Sequence, residues 1–145
     1  MRLRESLSLL MIVPVCVAVT GCGGGGVVPV AGRVTLVGGE PVQGATVVFE
    51  NREKRLSGSG RTDADGRFRL TTFKVDDGAP PGVYRISVAP PSAADSSQPQ
   101  PPRVFAEKYL SPETSGLSCS VEPGMKECGF ELEPAGAARG KAAKK

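Results

Sequence analysis

Histidine and tryptophan are both missing from this 145-residue sequence, and aromatic residues make up only 5% of it. Histidine is the commonest general base and metal ligand in proteins, so its absence narrows the enzyme mechanisms open to the chain. Carbohydrate-binding sites usually contain an aromatic side chain on which the sugar ring stacks. Tyr109 is the only candidate for that role, since Tyr84 is expected in the core. The composition therefore predicts no cofactor, no metal site and no enzymatic activity.

The sequence also lacks an apolar run long enough to span a bilayer, which requires about 20 residues. Its longest run covers residues 7–19, with Arg2 and Arg4 before it and small residues and a cysteine after it. This is the layout of an export signal. Residues 1–21 are predicted to be a signal peptide.

The sequence also has no excess of positive charge outside its C-terminal end. Four cations lie in the last seven residues, and removing them takes the net charge from +3 to −1; they are Arg139, Lys141, Lys144 and Lys145. Residues 134–145 are predicted to form a disordered basic tail. No nucleic-acid partner is implied.

Glycine and proline, by contrast, are abundant, with 19 and 13 residues. This profile favours short strands joined by turns, and alternation of apolar and polar residues marks seven strands. The predicted fold is all-β, a single seven-stranded antiparallel β-sandwich over residues 28–133, with a mobile Pro-rich loop at 89–103. The predicted strands cover residues 30–37, 45–50, 57–62, 67–70, 83–88, 117–121 and 128–132.

Asp63, Asp65 and Gly66 carry the strongest turn signal in the chain. The spacing begins like a calcium loop, but Arg67 and Lys74 occupy the fifth and twelfth positions, where oxygen ligands are needed. We therefore interpret the three residues as a structural turn in which aspartate caps and Gly66 supplies positive φ. A type I′ or similar turn would make strands three and four a β-hairpin.

Cys119 and Cys128 both fall on the inward parity of the last two predicted strands. Export to an oxidising compartment and the short turn between the strands favour a disulfide across this hairpin. A redox pair or a metal site is the alternative, although neither a CxxC spacing nor a histidine accompanies it.

The tetrapeptide Val19-Thr-Gly-Cys22 resembles the lipobox of bacterial lipoproteins. This resemblance implies cleavage before Cys22, diacylation of its thiol and anchoring to a cell membrane on the periplasmic or cell-surface side. Residues 22–27 would then be the lipidated cysteine and a Gly-rich tether. The alternative is an ordinary secretory signal with an incidental cysteine.

A second resemblance rests on four patterns: Val-x-Gly-x-Val-x-Leu at 30–36, Pro-Val-x-Gly-Ala-x-Val-x-Phe at 41–49, Thr-Asp-x-Asp-Gly-x-Phe at 62–68 and Pro-Gly-x-Tyr-x-Ile-x-Val at 81–88. Together they are similar to carboxypeptidase regulatory-like domains, which implies an Ig-like, transthyretin-like (prealbumin-like) sandwich. The histidines and the Tyr-Arg-Gly-Ser motif of transthyretin-like hydrolases are missing.

The resulting functional prediction is a non-catalytic, membrane-tethered cell-envelope module with a structural or protein-binding role. Its partner would be an envelope protein or polysaccharide. A carbohydrate-binding or other ligand-binding module is the alternative, and an enzyme is the third class.

Overall fold

The computed structural model describes residues 26–92, 97–125 and 127–136. These ranges contain seven β-strands, one 3₁₀ turn at Glu107–Leu110 and no α-helix. The strands are β1 (Ala31–Leu36), β2 (Thr46–Asn51), β3 (Leu56–Arg61), β4 (Arg67–Arg69), β5 (Gly82–Ala89), β6 (Leu117–Val121) and β7 (Cys128–Leu132).

Alternation along each strand decides which side chains enter the core. In β2, Val47 and Phe49 are fully buried, whereas Val48 and Glu50, on the opposite side, remain half-exposed. In β5, Tyr84 and Ile86 are buried in the same way. The period of two predicted from the sequence is confirmed.

The strands form two sheets that pack on each other. One has the order β4-β1-β7 and the other the order β3-β2-β5-β6. Phe49 of the four-stranded sheet lies with its ring centroid 6.0 Å from that of Phe68 and 6.1 Å from that of Phe130, both in the three-stranded sheet. The predicted all-β sandwich of seven strands is confirmed.

The prediction that every strand pair is antiparallel is wrong for β1 and β7. These two strands run parallel, with a register from Gly32 opposite Cys128 to Leu36 opposite Leu132. The chain leaves β6 at the edge of one sheet and crosses the sandwich to reach β7 at the edge of the other. After this crossing, β7 runs in the same direction as β1.

The two predicted hairpins are wrong for a related reason. The turn at residues 63–66 joins β3 and β4, but β3 pairs with β2 and β4 pairs with β1. An isolated bridge between Ser59 and Thr71 is the only ladder contact between these segments in the described residues. Strands β6 and β7 likewise belong to different sheets. Both turns are therefore corners of the sandwich.

Strand β3 lies at one end of its sheet. Its inward positions are the buried glycines Gly58 and Gly60. A Cβ atom at Gly60 would lie 2.4 Å from the carbonyl oxygen of Arg69. The end of β4 thus lies too close to Gly60 for a side chain at that position.

Candidate functional site

An open groove of about 860 Å³ lies where the edges of β3 and β4 meet. Three exposed arginines line it: Arg61 ends β3, and Arg67 and Arg69 occupy the outward positions of β4. Asp63, Asp76 and Glu127 line it as well. Within the described residues, no carboxylate oxygen lies within 4.0 Å of these three guanidinium groups. The groove therefore offers fork-shaped donors for an oxyanion.

Asp63 organises the turn that closes one end of this groove. Its Oδ1 accepts hydrogen bonds from the backbone N–H groups of Asp65 and Arg67, both at 2.9 Å. The N–H of Gly66 donates to the carbonyl of Asp63 at 3.0 Å. The structure places Asp63, Asp65 and Gly66 together in one turn. One oxygen of the Asp63 carboxylate is engaged there in hydrogen bonds from backbone N–H groups.

The turn differs in type from the one predicted. A type I′ turn needs positive φ at both central residues, but Ala64 and Asp65 keep negative φ, and the positive value, +75°, belongs to Gly66 at the fourth position. A Cβ atom on Gly66 would lie 2.3 Å from the carbonyl oxygen of Val34. The N–H of Val34 donates to the Gly66 carbonyl at 2.8 Å. Both the positive φ and the close contact with β1 therefore require a glycine at position 66.

Asp65 acts through its backbone, because its carbonyl accepts a hydrogen bond from Arg33 Nε of β1 at 2.9 Å. Across the described residues, no group of three or more cysteine, aspartate or glutamate side chains is arranged to hold a metal ion. The hydrogen bonds observed at this turn hold the backbone of residues 63–67 in place and connect it to Arg33 of β1.

Asp77 is a structural side chain that the sequence analysis did not identify. Its Oδ1 accepts the N–H of Thr72 at 2.8 Å, and its Oδ2 accepts those of Phe73 at 3.0 Å and Lys74 at 2.9 Å. The hydrogen bond from Thr72 is the main cause that lowers the pKa of the Asp77 carboxyl, assisted by the other two. The available signal was an aspartate directly before Gly78 at the end of a loop.

Cys119 and Cys128 form a disulfide with a Cα–Cα distance of 6.5 Å, so the predicted bond is confirmed. Its predicted setting is wrong, because the two residues are not cross-strand neighbours of one hairpin. Cys119 lies opposite Tyr84 in the four-stranded sheet, and Cys128 lies opposite Gly32 in the three-stranded sheet. The bond therefore joins the two sheets.

The two tyrosines of the chain are both core residues. Tyr109 is only 4% exposed, packs against Phe105 and accepts the N–H of Glu133 on its hydroxyl at 3.1 Å. Tyr84 donates its hydroxyl to the carbonyl of Pro80 at 2.8 Å, and burial raises its pKa. Tyr109 thus offers no platform for a sugar ring.

A family model for the carboxypeptidase regulatory-like domain matches residues 29–103, just over half of the sequence. The chain belongs to the carboxypeptidase regulatory-like domain family. In this carboxypeptidase regulatory-like domain the matched residues contain β1 to β5, and β6 and β7 follow beyond the match. A comparison with curated proteins gave no match, and a comparison with solved structures gave none.

The predicted signal peptide and Cys22 lie outside the described residues, as do residues 137–145 of the predicted tail. In the described part of the domain, no helix has the length and apolar character needed to cross a membrane.

Proposed function

We propose that this protein is a lipid-anchored, non-catalytic module of the bacterial cell envelope with a structural or protein-binding role. The observation that carries the proposal is the sequence Val19-Thr-Gly-Cys22 next to four glycines and a carboxypeptidase regulatory-like domain. Two acyl chains on Cys22 would hold the protein on the bilayer stably, whereas one chain is marginal. The glycines would leave the domain mobile on its tether.

The non-catalytic part of the proposal is supported by the bonds that the Asp63 carboxylate, the two cysteines and the two tyrosine hydroxyls already make within the domain. One oxygen of the Asp63 carboxylate accepts two backbone hydrogen bonds, and the thiols of Cys119 and Cys128 are joined to each other. The tyrosine hydroxyls are buried and hydrogen-bonded. We infer that the transthyretin-like sandwich serves as a rigid scaffold whose surface meets an envelope protein.

Metabolic labelling with an alkyne fatty acid tests the anchor. The wild-type protein should be labelled and should partition into detergent, and Cys22→Ser should lose both properties. Cys16→Ser is the matched control, since Cys16 would be removed with the signal and its replacement should leave labelling intact. Labelling that survives in Cys22→Ser would reject the lipobox assignment.

Cross-linking in intact cells, followed by purification from membrane extracts, tests the scaffold role. A specific envelope protein should be recovered with the wild-type chain. Recovery of the chain alone over repeated purifications would contradict a protein-binding role.

A ligand-binding module is the second candidate, and the arginine groove favours it. Arg61, Arg67 and Arg69 have no ion-pair partner in the described residues, so an acidic oligosaccharide would find bidentate donors there. Titration with a uronic-acid oligosaccharide should show binding that Arg67→Gln weakens. Arg55→Gln, outside the groove, is the control. Equal affinity of the two variants would reject this site.

A further inference from the structure

The loop between β4 and β5 presents two large apolar side chains to solvent. Phe73 is 61% exposed and Val75 is 86% exposed, with the exposed Lys74 between them. Single apolar residues on a surface are ordinary and need no explanation. Two within three residues at the tip of one loop are a candidate contact surface, which we call the apolar tip.

The apolar tip is held in place by hydrogen bonds inside the loop. Asp77 accepts the N–H groups of the three residues Thr72 to Lys74, as described above. The N–H of Asp76 donates to Thr71 Oγ1 at 3.0 Å, and the N–H of Asp77 donates to the Lys74 carbonyl at 3.2 Å. Because these donors are already paired, moving the tip out of water leaves few unsatisfied backbone groups.

The base of the loop is bonded directly to the segment that leads to the predicted tether. Val28 and Ala79 exchange two backbone hydrogen bonds, of 2.8 Å and 3.0 Å, and the N–H of Leu70 donates to the Val30 carbonyl at 2.9 Å. The six Cα–Cα steps from Cys22 to Val28 can span at most about 22 Å. An acylated Cys22 would therefore keep this end of the sandwich beside the bilayer.

We propose that Phe73 and Val75 insert into the interfacial layer of the bilayer that carries the Cys22 anchor. The proposal rests on the proposed lipid anchoring for its geometry, and it adds a second contact that fixes the orientation of the domain. Lys74, Asp76 and Asp77 together carry a net charge of −1, so the loop has no excess of cations that would attract anionic lipid. The contact is therefore apolar, and it works on zwitterionic lipid with little dependence on salt.

Tryptophan fluorescence tests the insertion, because the chain contains no tryptophan of its own. Phe73→Trp places one fluorophore at the apolar tip, and Val37→Trp places one just beyond the far end of β1 at a similar exposure of 59%. The lipidated proteins are reconstituted in phosphatidylcholine vesicles that contain brominated lipid. We expect blue-shifted, quenched emission for Phe73→Trp and water-like, unquenched emission for Val37→Trp.

A second arm separates the tip from the anchor. The core residues run from Val30 to Leu132, so a chain that starts at residue 22 and carries Cys22→Ser retains the described fold. Its weak partitioning onto the same vesicles should fall about tenfold with Phe73→Ser and stay unchanged with Val37→Ser. If the wild-type protein carries no acyl label, the proposed anchor is rejected but the apolar tip is not, because this second experiment uses a protein without an acyl chain.

Three results would overturn the proposal. The first is unquenched emission from Phe73→Trp, and the second is equal quenching of the two tryptophan variants. The third is emission from Phe73→Trp that shifts only in native membranes and is never quenched by lipid. That last result would assign the apolar tip to a protein partner.

Discussion

Cys119 in the four-stranded sheet is bonded to Cys128 in the three-stranded sheet, across a separation of nine residues. Both strands lie at sheet edges, β6 at the far end of its sheet from β3 and β7 at the far end of its sheet from β4. The bond thus closes one side of the core, where each sheet would otherwise end.

Reduction of this bond should lower the free energy of unfolding by about 2.5 to 3 kcal/mol in the chain-entropy description. Urea denaturation with and without a reductant measures the effect. The double variant Cys119→Ala, Cys128→Ala is the control, since its midpoint should not respond to reductant. Non-reducing mass spectrometry should find the two peptides joined, and two unpaired thiols in the purified native protein would contradict the bond.

Gly66→Ala should destabilise the fold more than Gly39→Ala. Both glycines have positive φ, which costs a residue with a side chain about 1–2 kcal/mol. A Cβ atom at Gly39 meets nothing within 4 Å, whereas one at Gly66 collides with the backbone of Val34. The melting temperatures of the two variants separate the destabilisation caused by the positive φ, which both share, from that caused by the contact with Val34, which only Gly66→Ala has. Equal melting temperatures would show that the turn yields without strain.

Calcium should not raise the melting temperature, because we interpret Asp63 as a backbone cap. Asp63→Asn keeps an acceptor oxygen and should cost little beyond a small capping loss. The measurement is thermal unfolding with calcium and with a chelator. A calcium-dependent rise that disappears in Asp63→Asn would establish a metal site at this turn.

Acid should release the Asp77 loop before the sandwich unfolds. The folded-state pKa of Asp77 is lowered, so its stabilising contribution is complete above the unfolded-state pKa and is lost as the pH falls through the lower folded value. The protection of the Phe73 and Lys74 N–H groups against hydrogen exchange, measured relative to the intrinsic rate at each pH, should therefore fall in strong acid and in Asp77→Asn. Asp76→Asn is the control, since the Asp76 carboxylate accepts no hydrogen bond from the described residues. Unchanged exchange in Asp77→Asn would contradict the role of this carboxylate.

Two phenylalanine truncations should differ sharply in stability. Phe49 is fully buried and contacts the rings of Phe68, Tyr84 and Phe130, so Phe49→Ala should cost about 3–5 kcal/mol. Phe73→Ala removes the same atoms from an exposed site and should change the unfolding free energy by less than about 0.5 kcal/mol. Chemical denaturation of the pair provides the comparison. A large loss in Phe73→Ala would mean that the apolar tip belongs to the core.

The sequence was sufficient to locate the strands but not to pair them. The alternation of apolar and polar residues shows that Phe68 and Phe130 point inward. The same alternation is expected whether the next strand pairs in the same sheet or lies in the other sheet. The hairpin interpretation of the turn at Asp63 and of the segment between Cys119 and Cys128 therefore failed on topology, although the buried residues were correct. Pairing depends on contacts between distant segments, such as β1 with β7, which local periodicity does not encode.

The candidate site was predicted only in part. The cap at Asp63 and the positive φ of Gly66 are local properties of a short turn, so residue types reveal them. The grouping of Arg61 with Arg67 and Arg69 depends on two sheet edges meeting. The three bonds to Asp77 depend on the exact path of a loop, which residue types do not determine.

The parallel pairing of β1 with β7 determines how the domain would respond to mechanical force. Tension that enters at the start of β1 and leaves at the end of β7 pulls the two strands past each other. All the hydrogen bonds between them then share the load, whereas an antiparallel terminal pair would be peeled apart one bond at a time. A domain of this topology extends under tension only when the whole ladder between β1 and β7 breaks at once.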